Sequence, residues 1–267
     1  MDSTDFASFE TWLRANGASD NTVEARVRYA RYCEETWGHS LTLASPADIR
    51  EQIARPGLAR WSRTTYFNHL RSAYRWLHET GQIEHDPMAR MRRPRPPRDV
   101  PRPLTDTEAA KVAANAQGVV REWVMLAMLA GLRAHEVAQV KGEDVTETFI
   151  FVDGKGGQQA FIPTHPDLWE LAQRKPRVGY WYPSYTRAGC IRSETVTARV
   201  TELFRSLGIE GSIHRCRHSF GTNLVRNGAP LTVVQSLMRH ASLNTTAAYI
   251  AVGEDERRSA VGALCVA

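Results

Sequence analysis

The chain has 267 residues, 42% hydrophobic and 24% charged, the composition of an ordinary globular protein of one or two domains. Its 34 basic against 29 acidic residues give a net charge of +5, a mild bias toward a polyanionic partner. No apolar run approaches the ~18 residues of a membrane span. The acidic start MDSTDFASFE lacks the layout of a signal peptide. Cys33, Cys190, Cys216 and Cys265 are too scattered for a disulfide framework or a cysteine zinc site, so a cytoplasmic protein with reduced thiols is the expectation.

Along the chain, Phe6, Phe9 and Leu13, then Val23, Val27, Ala30 and Trp37, recur at helical intervals. In SRTTYFNHLRSAYRWLHETG the apolar set is Tyr66, Phe67, Leu70, Ala73, Trp76 and Leu77, and Gly81 is a natural stop. Asn68, Arg71, Arg75 and His78 line the other side. With Arg63 near the start of the segment, this basic stripe fits either a solvated face or a DNA contact.

Residues 92–103, RRPRPPRDVPRP, hold five prolines and five arginines and predict an extended, semi-rigid connector. Arg92, Arg93 and Arg95 in it are suited to tracking a phosphate backbone. Of the basic residues only Lys111, Lys141, Lys155 and Lys175 are lysines, which fits coding bias as well as a use of guanidinium forks on phosphate.

After the connector, Thr105 with Glu108 three residues on reads as a capping box. VVREWVMLAMLAGL predicts a buried helix ending at Gly131. TFIFVDGKGGQQAFIP reads as two short strands around a glycine-rich turn with Lys155 at its tip. Helical patterns then resume, making the second half mostly helical with a small sheet.

The densest chemistry lies in SIHRCRHSFGT, residues 212–222. On a helix starting after Ser212, Ile213, Cys216, Phe220 and Leu224 form an apolar stripe. His214, Arg217, His218 and Gly221 form the stripe beside it, and Arg215 points away from the core. Two histidines, an arginine and a helix N-terminus together suit an oxyanion, most simply a phosphate. The i, i+4 histidines resemble the spacing of a zinc H-E-x-x-H helix, but Arg215 stands in the place of the glutamate and Arg217 repels a dication, so no metal is expected.

Three further stretches carry cations or a hydroxyl. AGLRAHEVAQV places Arg133 past a buried helix, with Glu136 able to orient it; DGKGG carries Lys155; LMRHASLNTTAAYI carries Arg239, His240 and Tyr249. Singly, each reads as ordinary structure. In order and spacing together they resemble the tyrosine recombinase (phage integrase) family, with its G-L-R-x-x-E, G-K-G, H-x-x-R-H and H followed by T-T-x-x-Y. TTYFNHLRSAYRWLHETGQIEHDP is similar to the family's core-binding domain.

The resemblance implies a mainly α protein: a helical, SAM-like core-binding domain over residues 1–91, the linker 92–103, and a catalytic domain over 104–267 with a small antiparallel sheet and a C-terminal docking tail. It implies a site-specific recombinase acting through a 3′-phosphotyrosyl intermediate, with Tyr249 as nucleophile and Arg133, Arg217 and His240 on the phosphate oxygens. His214 would assist proton transfer, Lys155 would protonate the leaving 5′-oxygen, and Glu136 and His218 would support the set. No cofactor is implied. The implied partners are double-stranded DNA with inverted core half-sites and further copies of the chain, as dimer and tetramer, joined through the tail; a directionality factor is an additional candidate. The early start of the core-binding helices leads us to expect a short form without an arm-binding domain, in phage or mobile-element integration and excision. A Xer-like dimer resolvase is the alternative, ahead of a type IB topoisomerase-like enzyme or an inactive DNA-binding homologue. Two departures stand out: Cys216 where leucine is usual, expected to be a harmless apolar exchange, and Arg239 where glycine is common. Arg239 is expected to perturb the turn or add a phosphate contact.

Overall fold

The computed structural model describes residues 4–95, 102–154, 158–186 and 188–239. The chain divides into two compact units between Asp99 and Val100, a position within the proline- and arginine-rich stretch. Among the described residues no helix is long and apolar enough to cross a membrane.

Among the described residues the first unit has four α-helices: α1 (Phe6–Ala15), α2 (Asp20–Trp37), α3 (Pro46–Ala54) and α4 (Arg60–Glu79). Each starts or stops where local chemistry dictates. The Asp5 carboxylate accepts the amides of Ala7 and Ser8, and Ser45 with Asp48 forms a capping box around Pro46. Gly38 ends α2 in the left-handed conformation, and Gly81 does the same just past α4. The core joins Phe9, Leu13, Val27, Cys33, Leu70 and Trp76, all buried. Tyr66 is only half-buried, because its ring stacks on Tyr29 at 4.1 Å instead of entering the centre. Tyr74, which the apolar spacing passes over, is fully buried.

The second unit contains α5 (Asp106–Asn115), α6 (Gly118–Leu129), α7 (Ala134–Gln139), β1 (Phe149–Gly154), β2 (Gln158–Pro163), α8 (Pro166–Ala172), α9 (Ser193–Ser206), α10 (His214–Arg226) and α11 (Leu231–Met238). Thr105 and Glu108 cap α5 reciprocally. The two strands pair antiparallel with Ile150 opposite Ile162. Alternation turns Ile150, Val152 and Ile162 into the core and leaves Phe149 and Phe161 outside. From its second turn α6 is buried or half-buried, and it packs against α9 and α10 while α7 packs on α9. Cys216 lies in this core, fully buried, with its thiol pushed up to about 12 by burial, so it acts as the small apolar filler expected.

Arg215 points away from the core, as the spacing predicts, but not into open solvent: its guanidinium is drawn into a clamp, 16% exposed. It pairs with Glu108 at 2.6 and 3.0 Å and donates to the carbonyls of Arg102, Pro103 and Glu210. Four oxygen-bearing groups outcompete solvent for one planar fork. Ser219, one turn later, accepts the Leu104 amide and donates to the Arg215 carbonyl. The chain entering α5 is thereby stitched to α10, the helix carrying the histidine–arginine cluster.

Where α6 meets α10, Gly131 is needed twice over. Its φ is +61°, and an added Cβ would lie 2.5 and 2.7 Å from ring carbons of Phe220. Gly131→Ala should therefore lower stability by about 2–3 kcal/mol, with overpacking added to backbone strain. Gly208→Ala is the control: φ is +70° but nothing lies within 4 Å, so backbone strain alone should cost about 1 kcal/mol. Equal denaturation midpoints for the two variants would refute the close fit.

Candidate active site

The site is built where two helices end. At Gly131 the chain leaves α6 and turns so that Arg133, in extended conformation, becomes the N-cap of α7. Glu136, three residues on, accepts the Arg133 amide at 2.7 Å on one carboxylate oxygen and Arg133 Nη1 at 2.9 Å on the other. The Glu136 side chain is wholly buried, so this bond fixes both residues against α7.

The second helix end is that of α11. Arg239 adopts the left-handed conformation, φ 52° and ψ 46°, and terminates it. The last carbonyls of α11 then accept from three different arginines. Leu237 O receives Arg239 Nη1 at 3.2 Å, Met238 O receives Arg217 Nη2, and Arg239 O receives Arg133 Nη2 at 3.4 Å. Gly131 O accepts both Arg217 Nη1 and, at 3.0 Å, Arg239 Nη2. Helix C-termini carry partial negative charge, so cations gather there for a simple electrostatic reason.

Glu136 is the common counter-ion. Arg239 Nη2 lies 2.6 Å from one of its oxygens, with Arg217 Nη1 3.9 Å from that same oxygen. Burial by itself raises the carboxyl pKa. Arg239, the Arg133 amide, Arg133 and Arg217 more than offset this, so the group sits below the usual carboxylate range. It is an anion at neutral pH, and three guanidinium groups share it. Arg217 and Arg239 are deeply buried, with side chains 6% and 5% exposed, whereas Arg133 is 29% exposed and faces the approach from solvent. An excess of positive charge in a place shielded from water is a binding site for an oxyanion.

Of the residues singled out from sequence, Arg133, Glu136 and Arg217 are brought together. His214 is exposed on the first turn of α10, and His218 is half-buried one turn on. Lys155, His240 and Tyr249 lie outside the described residues. Arg239, expected to perturb the turn or add a phosphate contact, ends α11 in the left-handed conformation, and its guanidinium is held by Glu136 and Gly131. The only sequence signal for this was a cation at a helix end, directly before a histidine, and a single glutamate to serve several arginines.

In the first unit the basic stripe is partly engaged by its own neighbours. Arg71 donates to Met88 O and lies 3.6 Å from Asp86, and Arg75 pairs with Glu79 at 2.7 Å. Asn68 and Arg63 are half-buried. Arg92, Arg93 and Arg95 are exposed.

Comparison with known proteins places this geometry. Residues 103–256 match the model of the phage integrase family. The chain is 30% identical to the tyrosine recombinase XerC of Mesorhizobium japonicum, over 92% of this chain and 91% of that protein. It is 34% identical to the integrase of mycobacterium phage Brujita, covering 96% of this chain and 90% of that one with a TM-score of 0.51. The fold also matches the Tn1549 transposon integrase, solved in complex with a circular intermediate DNA, at a TM-score of 0.72 and 17% identity over 99% and 100% of the two chains. The match spans more than half of the sequence and contains the arginine–glutamate cluster, and on that ground the chain belongs to the phage integrase family of tyrosine recombinases, enzymes that cleave and rejoin DNA.

Proposed function

We propose that the chain is a site-specific recombinase that binds duplex DNA and exchanges strands through a phosphotyrosine. The observation that carries this reading is the meeting of Arg133 and Arg217 on one buried carboxylate. Such a pair can hold two non-bridging oxygens of a phosphodiester as negative charge builds on them.

In this reading the Tyr249 hydroxyl attacks phosphorus, loses its proton with help from His214, and forms the 3′-phosphotyrosyl bond. The P–O5′ bond breaks, and Lys155 supplies the proton that converts the leaving oxygen to a 5′-hydroxyl. Arg133, Arg217 and His240 stabilise the pentacoordinate state. A 5′-hydroxyl from a partner strand then attacks the phosphotyrosine and releases Tyr249. One ester replaces another of similar energy, so the reaction needs no nucleotide. Exchange of both strand pairs requires two duplexes and a tetramer, with the tail as a linking segment.

Recombination of phage or mobile-element DNA is the reading we adopt, supported by 34% identity to a phage integrase; a Xer-like dimer resolvase, supported by 30% identity to a Xer protein, is the alternative. The first unit, with exposed Arg92, Arg93 and Arg95 near its end, supplies phosphate contacts that position rather than specify. A short duplex with two inverted core half-sites should suffice for specific binding.

Tyr249→Phe tests the nucleophile: it should leave DNA affinity nearly unchanged and abolish the covalent protein–DNA adduct on a nicked suicide substrate. An adduct that survives denaturant in this variant would remove Tyr249 from the role.

Clamp and acid are separable. Arg133→Ala should slow cleavage by roughly 10²–10³-fold, as loss of an oxyanion donor does. Lys155→Ala should be restored on DNA whose 5′-bridging oxygen is sulfur, because a thiolate leaves without a proton. Equal defects on both substrates would refute the acid assignment.

A further inference from the structure

The proposed chemistry uses Arg133 and Arg217 and assigns nothing to the third guanidinium beside them. Arg239 nevertheless occupies a costly position on two counts. It is the one non-glycine residue with positive φ among the described residues, at 52°, where a Cβ is disfavoured. Its cationic side chain is also almost fully withdrawn from water, at 5% exposure. Burial pulls its pKa down while Glu136 opposes the shift, yet a guanidinium starting so high remains charged.

What Arg239 touches explains why such a position is kept. Its side chain bridges Glu136, at 2.6 Å, and Gly131 O, at 3.0 Å, both at the α6–α7 junction. Its own carbonyl and that of Met238, at the end of α11, receive Arg133 and Arg217. The side chain thus fastens α11 to the same junction whose arginines α11 holds in return. The next residue in the chain is His240.

We propose that Arg239 is a positioning residue for strand cleavage: it locks the last turn of α11 against the α6–α7 junction, so that Arg133 and Arg217 are held in register for one phosphate. It also shares the charge of Glu136, so that less of the positive charge on the other two arginines is neutralised internally. Arg239 does not itself contact the phosphate. The inference rests on the recombinase reading above.

The test is made with the full chain on a suicide duplex, measuring single-turnover adduct formation at saturating DNA alongside the dissociation constant and its salt dependence. Arg239→Gly is the main variant, since glycine keeps the left-handed turn without strain and removes only the side chain. Adduct formation should fall roughly 10–100-fold, the scale of a small misplacement of reacting groups. Affinity and salt slope should stay near wild type. Arg239→Lys, which keeps the charge and loses the fork, should recover only part of the rate. Guanidinium chloride at low millimolar concentration should restore Arg239→Gly, while sodium chloride at equal ionic strength should not.

Cleavage by Arg239→Gly within twofold of wild type would overturn the proposal. So would a weaker affinity with a salt slope reduced by about one, which marks a direct phosphate ligand. A wild-type chain that forms no adduct at all, although it binds the duplex, would instead bring down the recombinase reading, and this inference with it.

Discussion

The geometry of the second unit depends on one buried carboxylate. Glu136 is sealed from solvent and ionised, and an ionised carboxylate is tolerated in such a place only when cations and donors surround it. Arg133, Arg217 and Arg239 meet that demand from three separate elements: the entry to α7, the first turn of α10 and the end of α11. An anion that needs partners therefore gathers the cations that a phosphate needs. Because guanidinium groups outnumber carboxylates here, the cluster keeps a positive excess, and a structural necessity becomes a binding property.

Helix ends do the remaining work. The carbonyls of Gly131, Leu237, Met238 and Arg239 lie at or just past helix ends, and all of them accept from arginines. The same groups that would otherwise be unsatisfied hold the cations in place. Two helix C-termini facing each other would ordinarily repel, and the guanidinium groups between them turn that arrangement into a joint. Closeness is essential to it: Gly131 lets Phe220 of α10 approach α6 to a distance that no side chain would permit.

A second clamp keeps this joint connected to what precedes it. Arg215 faces the opposite way from Arg217 on α10, and it gathers Glu108 with the carbonyls of Arg102 and Pro103. Opposite faces of one helix thus serve two ends, one holding the anion-binding cluster and the other the chain entering α5. A change in how residues 102–108 sit would be felt at α10 through a few short, charge-assisted hydrogen bonds rather than through soft apolar contacts.

Much of this was legible in the sequence. Apolar periodicity alone marks α1, α2 and α4, because a helix packed on one side must bury one face. The Thr105–Glu108 cap and the β1–β2 hairpin follow from local chemistry that needs no distant partner. The arginine and glutamate motifs are also readable, since their spacing is a property of the chain. Their meeting is not, because the contacts join residues far apart in sequence through burial and backbone carbonyls, and carbonyls carry no sequence signature. For that reason the clamps that Arg215 and Arg239 form in the folded unit cannot be read from their residue type. The sequence by itself determined which groups are available and on which helices they ride. Only the tertiary structure decided which cations a single buried carboxylate would draw in, because desolvation and the facing helix ends exist only once the chain has packed.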